Sequence, residues 1–560
     1  MKLLYLLVFA AKFNSGENYD LTILHTNDVH SRYDQINLKG KDCNPKAEAC
    51  YGGLARLKTK IDEYRRNYPN TLLFDAGDQF QGSMFYIYYR GNASLKAMNH
   101  LLYNVSTLGN HEFDDGPMNL GRIVKDYKFP VVSSNIEIPE EYKNLREKVV
   151  KSHVFEKYKL GVVGYIFSKA QIEANLKKVR TEDPIQAVQR EIKKLNAKGI
   201  KRIIAVSHAG YLNDVKLAEN VKGLSLIIGG HTHSYLGPKG SKFREKPSEG
   251  EYPTEVTNLD GKTTYIVQAH EWAYLLGHID ISYGTDGYLS KIRGQTILLN
   301  SSVPVDKATN AMVKDIRKES DKFMYTIIGN TNSSLVLDDC QLGECNLGSY
   351  IADAMLKYHP TSDFALINTG AIQDSIRVGD ITRGDVCSVL PIETAMVQIN
   401  QTGQQIRDLL QRAIRKIDKN GNEQMGVQVS GIQFTYNSEK IMGKVQVLDQ
   451  STQAYRPIEL GRNYTIATLS YVAIGGDNFV VPQLSEFEFL DSVETFVMKH
   501  IQSQGQLQLP TKNRIVKVDD ISSPIPALVL SQVSSPAKSK IFGIENINTH
   551  SPDLVTYQVQ

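Results

Sequence analysis

Short apolar runs alternate along this chain with longer stretches of helical periodicity. Leu21-Thr22-Ile23-Leu24, Thr71-Leu72-Leu73-Phe74, Arg202-Ile203-Ile204-Ala205-Val206 and Leu224-Ser225-Leu226-Ile227-Ile228 are partly β-branched and bounded by polar or glycine-containing turns, which predicts buried strands. Between them, Gly53 to Tyr64 and Pro184 to Lys198 place apolar side chains at helical spacing. This order predicts α/β layering, an arrangement in which ligands collect beyond the carboxyl ends of strands. Farther along, Asn310 to Tyr325 carries Met312, Ile316 and Phe323 at helical spacing among charged residues, an amphipathic helix between two halves of the chain.

The segments at the ends of these apolar runs are chemically specific. They are His25-Thr26-Asn27-Asp28-Val29-His30, Gly77-Asp78, Gly109-Asn110-His111-Glu112-Phe113-Asp114, Ser207-His208 and Gly229-Gly230-His231-Thr232-His233. One His or Asp after a strand is an ordinary turn residue. Five such ends with imidazole and carboxylate donors fit a two-metal phosphoesterase centre, which needs mixed ligands, a shared oxygen donor and open positions for water and substrate.

Taken together, these motifs resemble those of the 5'-nucleotidase and apyrase family, from about Asp20 to about Asp520. The resemblance implies an α/β protein with an N-terminal four-layer α/β/β/α metallophosphatase domain over residues 19–305. A connecting helix over 306–326 and a C-terminal α/β substrate-binding domain over 327–520 would complete it, with an inter-domain hinge. In the family pattern one cation is held by Asp28, His30, Asp78 and His233, and the other by Asp78, Asn110, His208 and His231, with Asp78 bridging. His111 and Asp114 match the catalytic dyad. Two cations roughly 3.5–4 Å apart lower the pKa of a bound water and stabilise both oxygens of an in-line displacement. His111, kept charged by Asp114, would donate to the phosphoryl oxygens. A His-rich site suits two divalent ions such as Zn, Mn or Co, with Ca or Mg left open.

The second half matches the family unevenly. Cys340 to Gly348, Asn368 to Gln373 and Ser470 to Phe479 resemble its nucleotide-binding segments. Where the family sandwiches the base between two aromatic rings, Tyr471 fits one position and Ile392 occupies the other. Gln341 and Gln373 stand where relatives commonly carry arginine, so a charge-assisted contact is lost and affinity or substrate preference is expected to have drifted. Arg377, four residues past Gln373, is a candidate for partial substitution, although the sequence does not fix where its side chain points. Asn368, Tyr471 and Asp477 are the candidates for nucleoside contacts.

Composition adds limits. The chain has 560 residues, 41% of them apolar, enough for separate cores. Lys and Arg total 64 against 61 acidic residues, and no basic stripe or recognition motif supports a nucleic-acid partner. Met1-Lys2 followed by Leu3 to Ala11 predicts a signal peptide over residues 1–16 and hence a secreted, extracellular product. The pairs Cys43/Cys50 and Cys340/Cys345 close small loops and read as disulfides, leaving Cys387 as a buried thiol or a link to a partner. Sequons at Asn92, Asn104, Asn300, Asn332, Asn400 and Asn463 permit glycosylation. Residues 521–560 carry no membrane-anchor signal and read as a poorly ordered tail.

Arg383-Gly384-Asp385 is a tripeptide through which secreted proteins engage integrins, and it suggests an integrin or fibrinogen-system partner. The same residues also read as a helix start. Three functions therefore stand. The first is a secreted metal-dependent apyrase or 5'-nucleotidase acting on ATP, ADP and, as a third candidate, AMP, resembling those in the saliva of blood-feeding arthropods that prevent platelet activation. The second is a nucleotide-binding or fibrinogen-receptor antagonist with weak hydrolysis. The third is a phosphatase of the same superfamily acting on another phosphoester, such as a nucleotide sugar or cyclic nucleotide.

Overall fold

The structure is a computed structural model and describes residues 20–167, 175–391, 395–417, 423–480, 489–510, 512–523 and 525. The expected signal peptide, Ile392 and the tail from 526 onward lie outside the described residues.

In the N-terminal half, two sheets stack face to face. One has seven strands in the order Leu289–Leu298, Leu275–Tyr283, Leu21–Thr26, Thr71–Asp75, Val105–Ser106, Val131–Val132 and Val149–Val150. The other has six, in the order Thr254–Thr257, Thr263–Val267, Leu226–Ile228, Arg202–His208, Leu160–Ile166 and Ser152–Phe155. Side-chain parity explains the layers. Ile23, Phe74, Val162, Ile204, Val206 and Ile228 form the core between the sheets. Their chain neighbours Leu24, Leu73, Val163, Ile203, Ala205 and Ile227 point the other way, into a core that includes helix residues such as Leu57, Ile61, Val188 and Ile192. Strands buried on both faces lack the apolar–polar alternation of a half-exposed sheet, which is why these runs are continuously apolar. The result is the α/β/β/α order expected.

Leu21–Thr26 pairs in parallel with Thr71–Asp75, and Arg202–His208 in parallel with both Leu160–Ile166 and Leu226–Ile228. Their carboxyl ends therefore emerge on one side of each sheet, and the polar motifs begin there.

The C-terminal half is a second α/β unit. Its five-stranded sheet runs Val427–Ser430, Phe364–Asn368, Asn463–Leu469, Ala395–Thr402 and Phe489–Ser492, beside a four-stranded sheet of Ala454–Pro457, Met442–Asp449, Ile432–Tyr436 and Ile515–Lys517. Its own core gathers Phe364, Ile367, Tyr350, Leu409 and Phe434. Between the halves lies the helix Lys307–Met324, started by Asp306, whose side chain accepts from the backbone N–H of Thr309 at 2.7 Å. Arg317 on this helix pairs with Asp34 at 3.0 Å and with Asp42, while Phe323 packs on Tyr88 and receives Arg383 over its ring at 4.2 Å. No helix among the described residues is long and apolar enough to cross a membrane. Cys43–Cys50 and Cys340–Cys345 are disulfide-bonded, and Cys387 is buried.

Candidate metal centre and nucleotide pocket

Every polar motif of the N-terminal half sits just past a strand. Asp28 and His30 follow Leu21–Thr26, Asp78 follows Thr71–Asp75, Asn110 follows Val105–Ser106, His208 ends Arg202–His208, and His231 and His233 follow Leu226–Ile228. The turns that present them are strained. Asp28, His30, Asp78, His231 and His233 all have positive φ, a conformation that costs non-glycine residues and is held only where the surroundings impose it. Glycine makes room at the centre: a Cβ on Gly109 would lie 2.0 Å from Asp78 Oδ1.

Two donor groups result, each with its ligand atoms within 4.8 Å of one another. One is Asp28, His30 and His233; the other is Asp78, His208 and His231. Asp78 spans both, with Oδ2 3.0 Å from His208 Nε2 and 3.8 Å from His30 Nε2. Asn110 joins the second group through Oδ1, 3.1 Å from His231 Nδ1.

The imidazole tautomers show what the donor groups fit. His30 Nδ1 donates to the Phe80 carbonyl at 3.1 Å, His208 Nδ1 to the Ala76 carbonyl at 2.7 Å, and His233 Nδ1 to Glu271 at 2.6 Å. Each ring is thereby fixed with Nε2 facing inward, as outer-shell contacts fix metal-bound histidines. His30 Nε2 and His233 Nε2 then face one another at 3.1 Å, which only a proton or a cation between them stabilises. His208 Nε2 is buried, with the Asp78 carboxylate beside it at 3.0 Å. Burial disfavours the imidazolium, yet Asp78 pushes His208 up to about 10 and Asp28 pushes His233 up to about 9. Asp78 is held well below the usual carboxylate range against its own burial by His208 and His111. These carboxylates demand positive charge, and divalent cations would supply it with release of protons.

Beside this centre, His111 Nδ1 lies 3.0 Å from Asp114 Oδ2, and the His111 backbone N–H donates to Asp78 Oδ1 at 3.0 Å. Burial opposes a charge on His111, but Asp114 and Asp78 outweigh it and push its pKa up to about 10. Burial lifts Asp114 to about 6 against the pull of His111. At neutral pH the pair is therefore an imidazolium and a carboxylate, with the Nε2 N–H of His111 available as a donor.

Sequence reasoning gave no role to several supporting residues. Glu112, only 4% exposed, accepts from the backbone N–H groups of Asp78, Gln79, Phe80 and Gly109 and so ties two ligand loops together. Asn27 donates to Asp28 Oδ2 at 2.6 Å, and the ring of Phe167 stacks on His231 at 4.6 Å. Glu271 supports His233. Its signal was present: His270-Glu271 also comes just after a strand, Thr263–Val267.

In the C-terminal half, Asn368 ends the strand Phe364–Asn368 and donates to Asp477 Oδ2 at 3.1 Å. Tyr471, 46% exposed, has its hydroxyl pKa raised by burial and by the Asp477 carboxylate. These three candidates meet. Lys416, which the sequence did not single out, places Nζ 2.8 Å from the same Asp477 oxygen. Gln373 is exposed and turns its amide onto the Gly370 carbonyl at 2.5 Å. Gln341 is also exposed and is tied through its backbone carbonyl to Met425 N–H at 2.8 Å. Arg377 is exposed.

Arg383, Gly384 and Asp385 open the helix Arg383–Val389. Asp385 is engaged in a reciprocal cap with Thr382, accepting from its backbone N–H at 2.8 Å and its hydroxyl at 2.6 Å, and Arg383 lies on Phe323. The tripeptide thus has structural employment rather than the form of an exposed loop.

The fold and site define a metal-dependent phosphoester hydrolase. Residues 21–235 match the calcineurin-like phosphoesterase model and residues 327–484 the 5'-nucleotidase C-terminal domain. The chain is 31% identical over 488 residues to the snake venom 5'-nucleotidase of Naja atra, covering 82% of this chain and 91% of that protein. It is 32% identical over 493 residues to the 5'-nucleotidase of Homo sapiens, covering 82% and 84%. A solved 5'-nucleotidase precursor from Thermus thermophilus aligns with a TM-score of 0.63 at 29% identity, over 89% of this chain and 99% of that one. The chain belongs to the 5'-nucleotidase family.

Proposed function

We propose that this metal-dependent nucleotide phosphohydrolase acts outside the cell as an apyrase, releasing phosphate from ATP and ADP, with AMP as a further substrate. The observation that carries the hydrolytic reading is the convergence of Asp28, His30, Asp78, Asn110, His208, His231 and His233 beside the His111–Asp114 pair. Asp28, His30, Asp78 and His233 would hold one divalent cation, and Asp78, Asn110, His208 and His231 the other. Bound there, the cations would supply Lewis acidity at a phosphoryl oxygen and lower the pKa of an attacking water.

The chain's own residues do the rest. His111, charged and oriented by Asp114, donates from Nε2 to the phosphoryl oxygens as negative charge spreads over them. Asn368, Asp477 and the exposed ring of Tyr471 receive the nucleoside, within a C-terminal domain of about residues 327–520. Uncharged Gln341 and Gln373, the latter folded onto Gly370, support a preference that has moved away from the monophosphate. Two disulfides support an oxidising, extracellular compartment, where removal of ATP and ADP would counter platelet activation.

Phosphate release from ATP, ADP and AMP, with and without chelator, tests the proposal. Chelator-sensitive release from ATP and ADP is expected. Release from AMP alone would reduce the function to that of a 5'-nucleotidase, and nucleotide binding without turnover would overturn hydrolysis altogether.

A further inference from the structure

The two donor groups are not supported alike. His30 and His208 lean on neutral backbone carbonyls, those of Phe80 and Ala76. His233 alone of these three leans on a carboxylate, with Nδ1 2.6 Å from Glu271 Oε2. The other oxygen of Glu271 is held at 2.6 Å by Arg244 Nη1. Arg244 is itself fixed, its guanidinium lying 5.2 Å from the Trp272 ring centre and 4.8 Å from that of Tyr274.

The backbone around Glu271 is built for this contact. His270, Trp272 and Ala273 all have positive φ, as does His233. Two hydrogen bonds lock the segment to the ligand loops: His270 Nδ1 donates to the His233 carbonyl at 2.8 Å, and Trp272 N–H donates to the Asp28 carbonyl at 2.7 Å. Glu271 is 5% exposed, so its charge acts through little solvent. A carboxylate behind a ligand imidazole raises the basicity of the inner nitrogen and fixes the ring, and removing such a partner typically weakens metal binding about 10–100-fold.

We propose that Glu271, anchored by Arg244, is a positioning residue that makes the Asp28–His30–His233 group the tighter of the two cation sites, the one filled first. This rests on the ligand assignment proposed above.

The test is a cobalt(II) titration of the metal-stripped full-length chain, followed by the visible d–d absorption of the ion and by calorimetry. Wild type should bind in two steps. Glu271→Gln should weaken the tighter step about 10–100-fold and shift its absorption band, leaving the weaker step in place. Glu271→Asp, which keeps the charge but withdraws it by one methylene, should weaken the same step less and reads the effect if the glutamine variant folds poorly. The step is assigned by pairing Glu271→Gln with single ligand changes: it should weaken the site that survives in His208→Gln and leave untouched the site that survives in His30→Gln. Equal weakening of both steps, no weakening of either, or an effect confined to the site surviving in His30→Gln overturns the inference while leaving the metal centre standing. Failure of wild type to take up cobalt overturns the ligand assignment instead.

Discussion

The two halves of this molecule handle charge in opposite ways. In the N-terminal half, carboxylates and imidazoles are buried together at strand ends, and their turns adopt strained backbone to bring them there. In the C-terminal half, Asp477 is already neutralised by Lys416 and hydrogen-bonded by Asn368, while Gln341 and Gln373 are exposed and uncharged. On the proposed function, the phosphoryl group would react where buried charge and strained backbone coincide, because charge development there is stabilised by preorganised groups; strain alone does not mark the place, since Asp477 in the other half also has positive φ. On the same proposal, the C-terminal half would only have to hold a nucleoside, a task that stacking and hydrogen bonds perform with less electrostatic investment. On that reading the chemistry belongs to one half and substrate choice to the other.

Breaking the first half should have the largest effect. Asp78→Asn removes the negative charge and one of the two oxygens of the carboxylate that lies between both imidazole groups, and phosphate release should fall to background with loss of bound metal, read by elemental analysis. His111→Ala should leave metal content intact and reduce kcat by about 10²-fold or more, since it deletes a donor to the developing charge. A parallel loss of metal in that variant would assign His111 a structural role instead.

The second half should respond more gently. Gln373→Arg restores a charged donor, and a charge-assisted hydrogen bond exceeds a neutral one by about 1 kcal/mol, so KM should fall about fivefold with kcat little changed. An unchanged KM would show that the pocket no longer directs phosphate toward this position. The smallest effect belongs to Asp385→Ala. Loss of the reciprocal cap should lower stability by about 0.3–1.5 kcal/mol in thermal unfolding and leave phosphate release unaltered.

How far the sequence discloses each half reflects the same division. Ligands such as Asp28, His208 and His231 are legible because they come at the ends of apolar runs that read as buried strands, and the donor type is written in the residue itself. The runs apolar on both faces make α/β layering legible, whereas the four-layer order comes from the family resemblance, because a strand buried on both faces does not say whether a helix or a second sheet covers it. Glu112 and Glu271 are less legible, because a carboxylate that supports a loop or an imidazole is defined by what it touches. Glu112 reaches back to Gln79 and Phe80 across more than 30 positions, and Glu271 reaches His233. Lys416 is hidden for the same reason, its partner Asp477 lying on a separate segment. The Arg383-Gly384-Asp385 tripeptide is a contrary case: a partner-binding motif by composition, it serves by geometry as the first turn of a helix, a use already visible in the spacing of Thr382 and Asp385.

Whether Asp78 joins two cation sites is decided by anomalous diffraction from crystals grown with manganese. Two peaks should flank the Asp78 carboxylate, one within reach of Asp28, His30 and His233 and the other within reach of Asn110, His208 and His231. A single peak away from Asp78, or active crystals with no anomalous density at these side chains, would contradict a shared bridge.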